Sequence, residues 1–189
     1  AHPVRSLSIV LIHHPVRGRD GEVVTSAITN LDIHDLARSA STYGCARYYI
    51  THPIAAQRDL VLKIREHWLF GSSGKRIPDR AEALRVLEVR NSLDDIVTEL
   101  GGRSEVEIWA TAARSSGLPL ATFAEGRARL AGEGKPILLL FGTSWGLHED
   151  TLRAADLLLE PISGPTTFNH LSVRSACAII LDRLTRADG

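Results

Sequence analysis

The residues best suited to do chemistry lie close together in the first quarter of the chain. Asn30 and Arg38 stand eight positions apart, and Asp32, His34 and Asp35 lie between them. Arginine stays charged and offers a planar fork of donors, which suits a phosphate or an acceptor group. Any of the three intervening side chains can act as a general base, and the pattern does not choose among them. The alternative is that Arg38 is a solvated helix residue paired with Asp32 or Asp35, which contributes little to stability.

A glycine-rich turn and two further loops form a second set of candidates. Gly142 and Gly146 bracket a turn where the backbone can approach a ligand, because no Cβ intervenes. Residues 141–147 include no titratable side chain, so main-chain groups would make the polar contacts to a ligand there. Residues 160–162 follow a second apolar run, and residues 169–176 open the last apolar helix.

Several common sites are excluded by spacing. The eight histidines include no zinc-like pair on a helix. Gly74-Lys75 and Gly134-Lys135 lack the remaining residues of a phosphate-binding loop, and no dinucleotide-binding glycine motif follows the first strand. His13, His14 and His52 end two predicted strands, and we interpret them as surface turn residues rather than catalytic ones.

The elements that must position these residues alternate between strand and helix. Apolar runs predict buried strands at 7–12, 47–51, 106–113, 137–141 and 157–159. Apolar spacing and caps predict helices at 30–42, 54–69, 79–89, 92–100, 120–130, 148–155 and 169–184, with Asn30 or Asp32 as the first cap and Gly44 closing that helix. This alternation predicts an α/β fold with a mostly parallel sheet flanked by helices. Residues 17–21 are predicted as a turn-rich basic loop, and the segment near 71–80 as a flexible insertion loop.

Composition fits one compact domain over residues 1–189. The chain has 44% hydrophobic and 23% charged residues and a formal net charge of zero, which argues against binding nucleic acid by bulk charge. Cys45 and Cys177 form no Cys-x-x-Cys pair, so we expect a reducing, cytoplasmic compartment. There is neither an apolar run of membrane-spanning length nor a signal segment, and we expect no membrane association.

Three C-terminal fragments, taken together, resemble the SPOUT superfamily of knotted RNA methyltransferases. They are the strand and loop at 141–147, the Glu-Pro-Ile loop at 160–162, and the His-Leu-Ser-Val-Arg-Ser-Ala segment at 170–176. Asn30, followed eight residues later by Arg38-Ser39-Ala40 and then by Gly44, is similar to the first motif of the SpoU-type branch. The loop at 142–146 lacks the glutamate usual in that branch, and Ser172 stands where asparagine is common. The closer resemblance is to a smaller group with members fused to tRNA guanine-N1 methyltransferase domains.

The resemblance implies an S-adenosylmethionine-dependent methyltransferase with a C-terminal trefoil knot, acting as a homodimer on tRNA or rRNA. It implies that Asn30 and Arg38 are catalytic, with Arg38 acting across the dimer interface. The residues it marks for cofactor binding are Thr111, Phe141, Gly142, Thr143, Gly146, Leu147, Glu160, Pro161, Ile162, His170, Leu171, Ser172 and Ala176. Lys75, Arg76 and Arg80 in the insertion loop are predicted to contact RNA. The alternatives are a knotted RNA-binding or cofactor-sensing module without activity, and a flavodoxin-like nucleotide-binding protein.

Overall fold

Six parallel strands form the centre of the molecule. The computed structural model describes residues 5–111 and 117–186. The strands of the sheet are β1 (Leu7–Ile12), β4 (Tyr48–Thr51), β5 (Leu87–Arg90), β6 (Glu107–Thr111), β7 (Ile137–Gly142) and β8 (Leu157–Leu159), in the order β5-β4-β1-β7-β6-β8. Two further short strands, β2 (Val16–Arg17) and β3 (Val23–Val24), form a separate antiparallel hairpin. The predicted end of β6 at residues 112–113 lies outside the described residues.

The two central strands are apolar except for the buried Ser8 of β1, because both faces of the sheet are covered. Every residue of β1 is buried, and β1 pairs in parallel with β7 from Leu7–Ile137 to Ile12–Gly142. Successive side chains point to opposite faces, so Ile9 and Leu139 enter one core while Val10 and Leu140 enter the other. A continuous apolar run is what such a two-sided strand requires.

Helices cover both faces. They are α1 (Asn30–Thr42), α2 (Ala55–Phe70), α3 (Ser72–Arg76), α4 (Pro78–Ala83), α5 (Leu93–Glu99), α6 (Phe123–Ala131), α7 (Glu149–Arg153) and α8 (Val173–Thr185). Residues of α1, α2, α6 and α8 join the first core, and residues of α5 and α7 join the second. The result is a three-layer arrangement, which confirms the predicted α/β class.

Caps explain where two of these helices begin. Thr29, rather than Asn30 or Asp32, caps α1, because its side chain accepts a hydrogen bond from the Asp32 amide. Ser172 caps α8 in the same way, so this helix begins four residues after the predicted start at Asn169. At the end of α1, Gly44 has a φ of 73°, the left-handed conformation predicted for it.

Two local predictions are wrong. Residues 72–76 are helical rather than a flexible loop, and α3 and α4 pack against α2. The helix predicted at 79–89 ends at Ala83, and the chain then forms β5, because pairing with β4 outweighs the weak helical pattern of this segment. The turn predicted at 17–21 is present and connects β2 to β3, but the hairpin was not predicted because its strands are too short to show a periodic pattern.

The strand order separates this fold from common nucleotide-binding sheets. Numbered along the chain within the sheet, the order is 3-2-1-5-4-6. A dinucleotide-binding sheet has the order 3-2-1-4-5-6 and a flavodoxin-like sheet has 2-1-3-4-5, so the flavodoxin-like alternative is wrong. The threading of α8 through a knot stays a prediction. Within the described ranges, none of the helices has the length and apolar character needed to cross a membrane.

Candidate active site

A large cleft lies at the carboxyl ends of β6, β7 and β8. Its volume is about 1200 Å3, and its walls come from the hairpin, the first turn of α1, the loop after β7, the segment after β8 and the start of α8. Loops at this edge of a parallel sheet carry the ligand sites of open α/β proteins. The topology therefore brings segments far apart in sequence to one place.

The loop after β7 is held in place by its neighbours. The Thr143 hydroxyl donates to the Ile12 carbonyl at 3.2 Å and contacts the Ser26 hydroxyl. Two main-chain hydrogen bonds join the loop to the hairpin, from Arg17 N to Gly146 O at 2.9 Å and from Trp145 N to Arg17 O at 3.0 Å. The hairpin missed by sequence reasoning is thus part of the support of the cleft.

Gly142 is required by the loop itself. A Cβ at this position would lie 2.5 Å from the Leu147 amide nitrogen and 2.7 Å from the Gly146 carbonyl carbon. The loop folds back tightly on the end of β7, and only glycine leaves room for it. The approach of a ligand to this glycine stays a prediction, and the fold of the loop gives a second reason for glycine here.

Twelve of the thirteen residues marked for cofactor binding line this one cleft. They are Thr111, Phe141, Gly142, Thr143, Gly146, Leu147, Pro161, Ile162, His170, Leu171, Ser172 and Ala176. Glu160 is the exception, because its carboxylate accepts a hydrogen bond from the Phe123 amide at 2.9 Å and supports the start of α6. The binding role of the twelve stays a prediction, but their convergence comes directly from the fold.

Charged side chains that sequence reasoning did not assign to the cleft also line it. Arg17 and Arg19 come from the hairpin, and Glu149 begins α7. Arg174 and Asp32 face each other across the junction of α8 and α1, with 3.4 Å between Arg174 Nη1 and Asp32 Oδ1. The remaining residues found only from the structure are Gly18, Ser144, Trp145, Leu152, Thr167, Asn169, Val173 and Ile180.

The two residues predicted to be catalytic lie elsewhere on α1. Asn30 and Arg38 are both exposed and do not line the cleft. Within the described part of the chain, Asp32 and Asp35 form ion pairs with Arg174, so the suggested pairing with Arg38 is wrong. Arg38 lies close enough to His34 that its charge helps to lower the pKa of that imidazole, after the larger effect of burial.

Two of the strand-end histidines are buried, so their interpretation as surface residues is wrong. The His13 ring contacts the Thr51 carbonyl through Nδ1 at 3.3 Å, and its Nε2 lacks a hydrogen-bond partner among the described residues. The His52 ring bridges the Ser26 carbonyl and the Ile54 amide. Burial, followed by the proximity of His52, lowers the pKa of His13 to about 4. Only His14 is exposed as expected.

The three basic residues predicted to contact RNA lie on short helices. Lys75 and Arg76 end α3, and the Arg80 guanidinium on α4 lies 5.9 Å from the centre of the Trp68 ring. Lys75 also lines a second cavity of about 560 Å3 between α2 and α4. Their positive charges therefore lie on helices at the protein surface and not on a flexible loop.

A parallel sheet of this order with a loop-lined cleft at its carboxyl edge defines an α/β protein built to bind a small molecule. The comparison with protein families makes this specific. Residues 6–186 match the family model described as SAM-dependent RNA methyltransferase, and the chain belongs to that family. This confirms the predicted family.

The chain is also similar to longer proteins. It is 41% identical over 186 residues to the tRNA (guanine-N(1)-)-methyltransferase of Nitratidesulfovibrio vulgaris, a match that covers 96% of this chain and 42% of that protein. The corresponding protein of Oleidesulfovibrio alaskensis is 42% identical with the same coverage. The chain thus spans about two fifths of the length of these curated relatives. An uncharacterized protein of Aquifex aeolicus is 35% identical and is covered over 86% of its length.

Solved structures share the fold at low sequence identity. TrmJ from Z. mobilis ZM4 aligns with a TM-score of 0.64 and 17% identity, covering 98% of this chain and 70% of the other. The A. aeolicus TrmH/SpoU tRNA modifying enzyme aligns with a TM-score of 0.59 and 14% identity, covering 97% and 76%. These structures support the SPOUT type of fold predicted from the three C-terminal fragments.

Proposed function

We propose that the cleft binds S-adenosylmethionine and that the chain transfers its methyl group to RNA. The observation that carries this proposal is the convergence of twelve predicted residues from four separate segments on one cleft. The cleft is large enough for a ligand of this size, since small-molecule sites typically have volumes of about 300–1000 Å3.

The residues present fit the cofactor chemically. Leu147, Ile162 and Leu171 provide apolar walls, and the glycine-rich loop offers main-chain groups to an adenine edge. Arg17 and Arg174 offer positive charge to a carboxylate. The cofactor, when bound, supplies a methyl group already activated by its sulfonium, so the work of the protein is placement and proton removal.

We further propose that the RNA is a tRNA. Relatives that share 41% and 42% of their aligned residues with this chain carry tRNA methyltransferase names, although the chain covers only part of them. Arg17 and Arg19 lie at the cleft, and Lys75, Arg76 and Arg80 provide further positive charge on α3 and α4. Labelled cofactor, offered with separated tRNA and rRNA pools, tests this choice, and label entering only rRNA would contradict it.

A homodimer explains why the cleft does not include Arg38. Large apolar side chains beside the cleft are exposed, with Trp145 at 56%, Phe168 at 74% and Leu171 at 48%. A cluster of exposed apolar side chains is typical of a surface that contacts another protein. We propose that a second copy covers them and brings its own Arg38 to the reacting groups.

Cofactor binding is tested by placing a larger side chain inside the cleft. Ala176 lies on α8 and lines the cleft, and Ala176→Leu keeps a good helix former while occupying part of the space. Calorimetry with S-adenosylhomocysteine should show affinity weakened at least about tenfold by the lost volume. Ala128→Leu, on the exposed face of α6 and away from the cleft, should bind like the parental chain. Unchanged affinity in a folded Ala176→Leu variant would remove the cofactor from this cleft.

A further inference from the structure

Methyl transfer to a group that carries a hydrogen needs a proton acceptor, and the cleft offers few. Among the described lining residues, the groups able to take a proton are Asp32, Glu149 and His170. The sequence of residues 112–116, next to Thr111, contains no carboxylate and no histidine. The choice of base within one chain thus narrows to three side chains.

The three candidates differ in how firmly they are held. The Glu149 side chain is 55% exposed and contacts Arg153 at 3.5 Å in solvent. His170 is exposed and contacts the ring of Phe168. The Asp32 side chain is only 11% exposed. A general base works best when its position is fixed and water is excluded, which favours Asp32.

Both the main chain and the carboxylate of Asp32 are fixed. Its amide donates to Thr29 Oγ1 at 3.2 Å, and its carbonyl accepts a hydrogen bond from the Tyr48 hydroxyl at 3.1 Å. Arg174 contacts the carboxylate through Oδ1 at 3.4 Å and is itself held by Asp35 at 3.3 Å. A carboxylate has two acceptor oxygens. The contact of Arg174 with Oδ1 therefore leaves Oδ2 available to accept a proton from a substrate.

We propose that Asp32 is a catalytic residue that accepts the proton of the methyl acceptor, and that Arg174 is the positioning residue that orients it. The acceptor nitrogen or oxygen forms a bond to the methyl carbon as the carbon–sulfur bond breaks, and the electron pair of that bond stays on sulfur. The N–H or O–H proton moves to Asp32 and then to water, leaving methylated RNA and S-adenosylhomocysteine. This inference rests on the proposed function of the cleft.

The test is Asp32→Asn, which keeps the size of the side chain but removes its basicity. Single-turnover transfer should fall by about a hundredfold or more, while affinity for S-adenosylhomocysteine and for RNA stays within about threefold. The residual rate should rise in proportion to hydroxide concentration, because solvent then removes the proton. A purely structural role for Asp32 would not produce that pH profile.

Asp95→Asn is the matched control. Asp95 occupies the same position in α5, where its amide donates to the Ser92 hydroxyl at 3.2 Å, but it does not line the cleft. Its variant should transfer methyl groups at the parental rate. An Asp32→Asn rate within about threefold of parental, or an equal loss in both variants, would overturn the role of Asp32.

The same experiment separates this inference from the proposed function. A parental chain that binds S-adenosylhomocysteine and methylates RNA supports the proposed function, whatever the variant does. A parental chain that binds no cofactor and methylates no RNA overturns both. Mapping the methylated nucleotide distinguishes a ring nitrogen from a ribose hydroxyl as the source of the proton.

Discussion

Helix geometry separates Asp32 from Arg38, although one sequence motif includes both. The two residues are six positions apart, which places them about 9 Å apart along the axis and about 120° apart around it. Asp32 therefore faces the cleft and Arg174, while Arg38 is exposed. The sequence named Asp32, His34 and Asp35 as equal candidates for the base. The fold distinguishes Asp32 from the other two, because of these three side chains only Asp32 lines the cleft.

His13 should make the stability of the fold depend on pH. Burial lowers its folded-state pKa to about 4, against 6.5 for an ordinary imidazole, so the unfolded chain binds the proton more tightly. The free energy of unfolding should therefore be highest above pH 6.5 and fall as the pH drops toward 4. At about 1.4 kcal/mol per pH unit, the loss is about 3 kcal/mol. Urea denaturation between pH 7.5 and pH 4 measures it.

The matched variants are His13→Asn and His14→Asn. His14 is exposed and follows His13 directly, so its replacement should leave the pH dependence unchanged. His13→Asn should flatten the dependence because the titrating group is gone, whatever its effect on stability at neutral pH. If His13→Asn keeps the parental slope, another group is responsible.

At the scale of elements, the strands and helices that were predicted correctly are those with a local sequence signal. β1 is apolar except for Ser8 and β7 is a continuous apolar run, and the helix that ends before Gly44 follows a regular apolar spacing. The hairpin and β5 were missed because they rely on distant partners, namely the Gly146 carbonyl for Arg17 and β4 for β5. Twelve residues of the cleft were named from the sequence, but the hairpin residues, Glu149 and Arg174 were not.

The helical pair α3 and α4 should act as an RNA contact surface. Lys75→Gln with Arg76→Gln removes two charges at the end of α3 without touching the core, since neither side chain is buried. RNA affinity should fall, and the slope of log affinity against log salt should become shallower by about one for each lost phosphate contact. Filter binding across a salt series measures both quantities.

Lys135→Gln provides the control for that experiment. Lys135 is exposed and precedes β7, at the amino edge of the sheet opposite the cleft. It should leave the salt slope unchanged. Arg80 is kept in the double variant because its guanidinium stacks on Trp68, so that its loss would alter packing as well as charge. An unchanged slope in the double variant would exclude α3 from the RNA interface.

At the scale of the whole molecule, the sheet order explains how three loops come together. β7 lies at the centre and β8 at the edge, so the chain crosses β6 between them and then returns to α8, which packs against α1 and α6. The loop after β7, the segment after β8 and the start of α8 therefore meet at one edge. Alternating apolar runs predict a parallel sheet but do not predict its strand order. The resemblance to SPOUT proteins predicted a knot formed by the last helix, but the strand order itself was not predicted.

If Arg38 acts in the cleft of the partner subunit, its replacement should reduce methyl transfer without changing cofactor binding. Arg38→Lys should bind S-adenosylhomocysteine and melt like the parental chain, because Arg38 is exposed and does not line its own cleft. Its methyl transfer should fall by about a hundredfold, because lysine cannot reproduce the planar fork of donors. The Ala176→Leu variant keeps an intact Arg38 and should also be inactive when it is assayed at a cofactor concentration well below its weakened affinity.

Co-expression of these two inactive variants tests whether Arg38 acts between subunits. Random pairing makes half of the dimers mixed, and each mixed dimer has one intact cleft facing one intact Arg38, so about a quarter of parental activity should return. An arginine acting within its own chain returns nothing, because no chain then carries both intact parts. Sedimentation of the parental protein as a monomer would contradict the dimer directly. Recovered activity would assign the exposed face of α1 to the active site of the neighbouring copy and explain why Arg38 lies outside the cleft of its own chain.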